Sequence, residues 1–143
     1  MKIAIASDHG GFELKEKIKK ELNKKDKVTV DLGPDSKDSV DFSDYADKLC
    51  EKILSCDDCK GILICTTGQG MVMAANRHEK IRATLCPSKV LAKQAREHLD
   101  SNVLVLGGKT CIDDPIEILD VWLDTEFLEK RRYKRRLSKL DKN

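Results

Sequence analysis

Aromatic residues and long apolar runs are scarce in this chain of 143 residues. Aromatic side chains make up 4% of the sequence, and its apolar runs are far shorter than the roughly 20 residues of a bilayer-spanning helix. The N-terminus lacks the charged segment, apolar core and cleavage site of a signal peptide, and no internal repeat or flexible linker is present. The composition, 40% hydrophobic and 36% charged, excludes collagen-like, mucin-like and wholly disordered proteins. We therefore expect a cytoplasmic protein with one domain over residues 1–143 and no membrane contact.

Cysteine, in contrast, is plentiful, with six residues in the chain. Without a signal peptide, these cysteines are expected to be reduced thiols and not disulfides. Cys56 and Cys59 form a CxxC pair between a predicted helix and a predicted strand. A single CxxC is a weak zinc signal, which leaves a redox pair or two unconnected surface thiols as the alternatives.

The net charge of +2 hides a basic C-terminal segment. Residues 130–143 hold eight Lys/Arg and one Asp, and the rest of the chain holds 19 basic and 24 acidic residues. Arginines four apart share one face of a helix and can close on one phosphate. A nucleic-acid partner is disfavoured because the body is acidic, aromatics are scarce and no nucleic-acid motif appears. A small phosphorylated ligand ranks first, and a solvated tail without a partner is the alternative.

Short apolar segments alternate with amphipathic segments along the chain. The run Gly61-Ile62-Leu63-Ile64-Cys65 is typical of a strand buried on both faces of a parallel sheet, and the longer segments repeat apolar residues at helical spacing. Predicted strands cover 2–6, 28–32, 61–65, 82–86 and 102–106, and predicted helices cover 12–25, 44–55, about 71–78, 88–98 and 115–127. We therefore predict an α/β fold: a three-layer αβα sandwich with a Rossmann-like, doubly wound parallel sheet of about five strands. A basic helix over about 128–140 extends it at the C-terminus.

The loop Cys65-Thr66-Thr67-Gly68-Gln69-Gly70 leads from the most apolar predicted strand into a helix. Ligands of doubly wound folds bind beyond the carboxyl ends of the strands, and the N–H groups at a helix N-terminus attract anions. The loop matches neither a Walker loop nor the full dinucleotide pattern, so it is an anion cradle or a tight turn that needs its glycines. A thiol at the position of Cys65 is expected to ionise readily and to act as nucleophile or base. An inert buried thiol is the alternative.

Two histidines are expected near this thiol. Asp8-His9 follows the first predicted strand, and His98 ends the fourth predicted helix. Histidine is the usual acid–base side chain near neutral pH, although a single histidine is more often a cap or a surface residue. We expect Asp8, His9 and His98 to converge with Cys65 at one edge of the sheet, and we assign no role to His78.

Taken together, these residues resemble the B-type ribose-5-phosphate isomerase family, which includes the galactose-6-phosphate isomerase subunits. The resemblance begins with IAIASDHGGFELK at residues 3–15 and follows the order of the family along almost the whole chain. The other matching stretches are 40–46, 61–76 with 81–83, 95–98 and 102–107.

The resemblance implies that Cys65 is the base that moves a proton between C1 and C2 of an open-chain sugar. N–H groups of the loop from Thr66 through Gly68 and Gln69 to Gly70 would stabilise the enediolate oxygen. Thr67 and His98 would assist ring opening, Asp8 would hold a sugar hydroxyl, and the phosphate would be held by His9, Lys109, Arg132 and Arg136. The family also implies no metal or organic cofactor, and a homodimer or homotetramer whose sites are shared between subunits.

The sequence departs from the family at several of these positions. Met71 stands where one branch of the family has a glutamate base, which leaves Cys65 as the base. Thr66 replaces a usual glycine, Leu99 a usual asparagine, Phe42 a usual tyrosine, and Lys109 a usual arginine.

The register of the C-terminal arginines has two solutions. Arg132 with Arg136 is preferred because it places Leu137 at an apolar position of the family, and Arg131 with Arg135 is the alternative. The implied function is an aldose–ketose isomerase for ribose 5-phosphate and ribulose 5-phosphate. An isomerase for allose 6-phosphate or galactose 6-phosphate is the nearer alternative, and a non-catalytic sugar-phosphate-binding protein is the other.

Overall fold

The computed structural model describes residues 1–142, and Asn143, the last residue assigned to the domain, lies outside them. The strands are β1 Lys2–Ser7, β2 Val28–Asp31, β3 Cys59–Cys65, β4 Ala83–Leu85 and β5 Val103–Gly107. The α-helices are α1 Phe12–Lys24, α2 Phe42–Leu54, α3 Gln69–Ala75, α4 Lys89–Leu99, α5 Pro115–Asp124 and α6 Arg131–Leu140. A short 3-10 helix, His9–Gly11, lies between β1 and α1.

The strands form one parallel sheet in the order β2-β1-β3-β5-β4. The chain builds β1 and β2 toward one side and then crosses to place β3 on the other side of β1. Ligands of such sheets bind in the crevice where the winding direction reverses, which here lies beyond the carboxyl ends of β1 and β3. The predicted α/β class and doubly wound parallel sheet are confirmed.

Alternate residues of each strand face two separate apolar layers, as the period of a strand requires. On one face, strand residues such as Ile62 and Leu104 pack against α1, α4 and α5. On the other face, residues such as Leu63 and Val105 pack against α2 and α3. The side chain of Cys65 belongs to the α2 and α3 face. Helices α2 and α3 are therefore the ones that pack on the side of the sheet that carries the Cys65 thiol.

Helix α3 is displaced from its predicted limits. It begins at Gln69 because Gly68 caps it in the left-handed conformation, with φ of +83°, which favours glycine. It ends at Ala75 because the amide side chain of Asn76 binds both the N–H and the carbonyl of Ala83, at 2.9 Å each. The anion loop is therefore shorter, and the helix starts closer to Cys65, than the sequence predicts.

The predicted C-terminal helix is present as α6, beginning at Arg131 because Lys130 is extended. Tyr133 and Leu137 are buried, with 9% and 8% of their surface exposed. The ring centroid of Tyr133 lies 4.9 Å from that of His98, near the end of α4. The basic segment is thus a helix docked on the rest of the domain through Tyr133 and Leu137.

Cys56 and Cys59 are joined in a disulfide at the turn between α2 and β3. The expectation that these two thiols are reduced is therefore wrong for this structure. The turn brings their Cα atoms to 5.6 Å, within the roughly 4.4–6.8 Å that a disulfide spans. Cys50, Cys65, Cys86 and Cys111 are free thiols. The disulfide lies at the amino edge of the sheet, the edge opposite the Cys65 thiol.

Candidate active site

The carboxyl edge of the sheet gathers most of the predicted site residues. Asp8 and His9 follow β1, Cys65 ends β3, and Lys109 follows β5. These three strands are direct neighbours in the order β1-β3-β5, so their ends lie side by side.

The Cys65 thiol sits beneath the anion loop and is 6% exposed. Its Sγ accepts a hydrogen bond from the Gly68 N–H at 3.0 Å. The Gly68 N–H therefore fixes the position of the buried sulfur at the start of the anion loop. Burial raises the pKa of Cys50 to about 12 and that of Cys86 to about 11, so those two thiols stay protonated near neutral pH.

The anion loop is tied to the segment that follows β5. The N–H groups of Gly108 and Lys109 donate to the carbonyls of Cys65 and Thr66, at 2.7 and 3.1 Å. The hydroxyl of Thr110 donates to the carbonyl of Thr67 at 3.3 Å. Sequence reasoning missed Thr110, and its place just beyond a predicted strand end was the available signal. These bonds hold the loop in one conformation.

Gly107 allows this close approach, and its replacement by alanine is expected to lower the free energy of unfolding. A Cβ at Gly107 would lie 2.6 Å from the Thr67 carbonyl oxygen and 2.1 Å from Thr110 Oγ1. Overpacking against backbone costs about 2 kcal/mol or more. At neighbouring Gly108 the nearest atoms would be at 3.4 and 3.6 Å, so Gly108→Ala should cost less than about 1 kcal/mol. Urea unfolding of both variants measures the difference, and equal losses would contradict this account.

Asp8 and His9 are both oriented by backbone N–H groups. The Oδ1 atom of Asp8 accepts from the Gly11 N–H at 3.0 Å. His9 Nδ1 accepts from the Val40 N–H at 3.3 Å. Because Nδ1 accepts a bond in this arrangement, the ring proton of the neutral imidazole lies on Nε2. His9 can therefore donate a hydrogen bond from Nε2 to an anion.

Lys109 lies close enough to Glu13 to affect its ionisation. A hydrogen bond and the charge of Lys37 lower the pKa of Glu13, and the charge of Lys109 lowers it further. Glu13 is in the first turn of α1, directly after the helical turn that carries His9. Lys109 and His9 therefore lie on the same side of the crevice.

Three positions that depart from the resembled family, Phe42, Met71 and Thr66, lie in or beside the start of α3. The Phe42 ring covers the first turn of this helix, since a Cβ at Gly70 would lie 3.0 Å from Phe42 Cε2. Met71 is fully buried in the α2 and α3 face, so it contributes packing and no titratable group. Thr66 lies against the turn after β1, since a Cβ at Gly10 would lie 2.1 Å from Thr66 Oγ1.

His98 does not join this group within one chain, and the prediction that it converges with Cys65 is wrong. Helix α4 runs from the carboxyl edge to the amino edge, where the carbonyl of Leu99 accepts a hydrogen bond from Arg82 at 3.1 Å. Arg82 directly precedes β4, so this contact lies at the amino edge. Helix α4 also packs on the face of the sheet opposite the Cys65 side chain. A seven-residue strand such as β3 spans roughly 20 Å, which separates the two edges.

A second group of predicted residues surrounds His98. Arg132 Nη2 donates to the Tyr133 hydroxyl at 3.2 Å, and its guanidinium lies 4.7 Å from the Tyr133 ring centroid. Tyr133 in turn packs on His98. Arg136 is four residues after Arg132 and shares its side of α6. Arg132 is thus linked to His98 through Tyr133, and the choice of Arg132 with Arg136 over Arg131 with Arg135 stays a prediction.

The predicted site residues thus fall into two groups, which we call half-sites, at the carboxyl edge and the amino edge of the sheet. The carboxyl half-site contains Asp8, His9, Cys65, Thr66, Thr67, Gly68, Gln69, Gly70 and Lys109. The amino half-site contains His98, Arg132 and Arg136. Within residues 1–142, no group of three or more His, Cys, Asp or Glu side chains is placed to hold a metal ion. No helix in that range combines the length and apolarity needed to cross a membrane.

Known proteins match this chain over nearly its whole length. A family model described as Ribose/Galactose Isomerase matches residues 3–140. The ribose 5-phosphate isomerase structure from Thermotoga maritima is 46% identical with a TM-score of 0.93, covering 99% of this chain and 98% of that one. A Mycoplasma genitalium ribose-5-phosphate isomerase B structure with bound ribulose-5-phosphate is 38% identical with a TM-score of 0.93, covering 99% and 94%. Ribose-5-phosphate isomerase B of Escherichia coli is 34% identical over 135 residues, covering 94% of this chain and 91% of that protein.

Proposed function

This chain belongs to the ribose/galactose isomerase family, and we propose that it interconverts D-ribose 5-phosphate and D-ribulose 5-phosphate. The observation that carries the proposal is the Cys65 thiol held under the Gly68 N–H at the crevice of the sheet. Relatives that cover nearly the whole chain carry the name of this activity, and one of them has ribulose-5-phosphate bound.

Cys65 is proposed as the base of the isomerisation. The thiolate removes the proton from C2 of open-chain ribose 5-phosphate, which places negative charge on O1. The proton of the C2 hydroxyl then passes to O1, and the Cys65 thiol returns a proton to C1, which gives the ketose and restores the thiolate. The intermediate is an enediolate, whose oxygen carries negative charge. The N–H of Gly70, in the first turn of α3, is proposed to stabilise such charge, and so is that of Gln69, which in this structure donates to Thr67 Oγ1 at 3.4 Å. Asp8 would hold a sugar hydroxyl through its carboxylate.

The phosphate is proposed to lie between the two half-sites. His9 and Lys109 approach it from the carboxyl half-site, and Arg132 and Arg136 approach it from the amino half-site. Arginines contact phosphate through paired N–H groups, and Lys109 contributes a point charge. Thr67 and His98 would assist ring opening of the cyclic sugar.

One copy of the chain offers only parts of this site, so we propose a homodimer or homotetramer. The amino half-site of one copy would complete the carboxyl half-site of another. This arrangement resolves the separation of His98 from Cys65 without moving either element. The proposal includes a cytoplasmic protein that acts as one domain, with a sugar phosphate as ligand and without nucleic acid or membrane as partner.

A six-carbon substrate is the second candidate because two apolar side chains replace polar ones of the family. Phe42 is 42% exposed over the first turn of α3, and Leu99 is 43% exposed beside His98. Both change how sugar hydroxyls are contacted. The pentose remains first because Cys65 and His98 of the family pattern are both present.

A substrate comparison with metal chelated tests the proposal. We expect kcat/KM for ribose 5-phosphate to exceed that for allose 6-phosphate and galactose 6-phosphate by about tenfold or more. The Cys65→Ala protein, prepared in the same way, is the blank that excludes a contaminating isomerase. Faster turnover of a hexose phosphate would replace the pentose assignment. Binding of all three sugars without turnover would leave the non-catalytic alternative.

A further inference from the structure

Lys15, in α1, carries a buried ammonium group that the reaction does not use. Its side chain is fully buried, and Nζ binds both carboxylate oxygens of Asp31, at 2.9 and 2.8 Å. The more exposed Lys19 binds the same carboxylate at 2.6 Å. A buried ion pair adds little net stability compared with apolar packing. Net stability therefore does not explain why the Lys15–Asp31 ion pair is buried.

Asp31 extends this contact to the loop that connects β2 to α2, residues 32–41. Its Oδ1 accepts from the Gly33 N–H at 2.9 Å, and the Gly33 carbonyl accepts from the Ser7 N–H at 3.1 Å. Partial burial acts to raise the pKa of Asp31, but the bonds from Lys15, Lys19 and Gly33 outweigh it and the pKa is lowered. The charged carboxylate thus anchors the start of the loop beside the end of β1.

The far end of the same loop orients His9. The Val40 N–H donates to His9 Nδ1, which leaves the proton on Nε2. Between these ends, Lys37 forms an ion pair with Glu13 of α1. The loop is thus attached at both ends and at one point between, and its last contact is with an imidazole of the carboxyl half-site.

We propose that Asp31 is a positioning residue, whose hydrogen bond to the Gly33 N–H holds the 32–41 loop so that Val40 keeps His9 Nε2–H directed at the substrate phosphate. The route runs from Asp31 to the Gly33 N–H and through the loop to Val40 and His9, while Lys15 and Lys19 hold the carboxylate of Asp31. This inference rests on the proposed phosphate contact of His9.

Two matched double variants separate positioning from stability. Lys15→Met/Asp31→Asn and Lys15→Met/Asp31→Leu both remove the ion pair, but only asparagine keeps an oxygen that can accept from the Gly33 N–H. The asparagine variant is expected to retain KM for ribose 5-phosphate within about twofold. The leucine variant is expected to raise KM about tenfold, with kcat changed much less. Lys24→Met removes an exposed ion pair of the same helix with Glu21 and is the control for α1.

Nitrogen NMR of labelled histidine gives a readout that does not depend on activity. His9 is expected to be protonated at Nε2 in the wild-type protein and in the asparagine variant, and to show mixed protonation in the leucine variant. A leucine variant with wild-type KM and wild-type His9 spectrum would overturn the proposal. Equal KM increases in the two double variants would also overturn it, because the hydrogen bond between residue 31 and the Gly33 N–H would then make no difference to substrate binding. An unchanged KM in His9→Ala would instead refute the phosphate contact, while the spectra still test the positioning.

Discussion

Replacing Cys65 by alanine is expected to lower kcat by about 1,000-fold or more, because general-base catalysis contributes about 100- to 10,000-fold. In the proposal, Asp8, His9 and Lys109 bind the sugar or its phosphate, which leaves Cys65 as the base. Met71 provides no carboxylate, and one oxygen of Asp8 is already engaged by the Gly11 N–H. Steady-state kinetics with ribose 5-phosphate and with ribulose 5-phosphate measure the loss in both directions.

The Cys65→Ser variant makes the test sharper. A serine hydroxyl preserves the size of the side chain and can still accept from the Gly68 N–H, but it ionises far less readily than a thiol. We therefore expect a folded Cys65→Ser protein that still binds substrate and loses turnover as Cys65→Ala does. Circular dichroism and substrate titration verify the fold and the binding.

Cys111→Ala is the matched control for a general effect of thiol removal. Cys111 follows β5 at the same edge of the sheet, and its Sγ lies 3.1 Å from the Gly107 carbonyl. Burial raises the pKa of this thiol, so it remains protonated near neutral pH. Its replacement should change kcat less than about threefold. A Cys65→Ala protein with kcat within tenfold of the wild type would refute the assigned base.

The carboxyl half-site illustrates what the sequence could predict. Apolar runs such as Ile62 to Cys65 identify buried strands, and parallel strands bring their ends to one edge. The rule that ligands bind at that edge then selects Asp8 and Cys65 without knowledge of any contact, and the family resemblance adds Lys109. Thr110 was missed because its bond to the Thr67 carbonyl depends on the conformation of two loops that meet only in the folded chain.

The position of His98 shows where sequence reasoning fails. Helix α4 follows β4, so it runs back toward the amino edge, and His98 near its end is carried away from Cys65. Direction alone excludes a contact within one chain, yet the residue type and the family resemblance both favour a shared site. The two observations agree if the second half-site belongs to another copy, as the family resemblance implies and as we propose. The disulfide of Cys56 and Cys59 was missed for a different reason, since it depends on the geometry of one turn.

A mixture of two inactive variants is expected to recover activity if sites are shared between subunits. In a dimer of Cys65→Ala with His98→Asn, one site has both defects, and the other combines the intact Cys65 of one copy with the intact His98 of its partner. Random pairing makes half of the dimers mixed, so about one quarter of the wild-type rate should return. The experiment requires subunit exchange or co-expression, followed by an assay with ribose 5-phosphate.

The matched control mixes Cys65→Ala with Thr67→Ala. Both defects lie in the carboxyl half-site, so each site of a mixed dimer carries one of them, and no activity above the parents should return. A site contained within one chain predicts no recovery in either mixture, since every chain then carries its own defect. Recovery in the mixture with His98→Asn, and not in the mixture with Thr67→Ala, would place Cys65 of one copy and His98 of another in the same site. Absence of recovery, with mixed dimers demonstrated by differently tagged subunits, would refute the shared site.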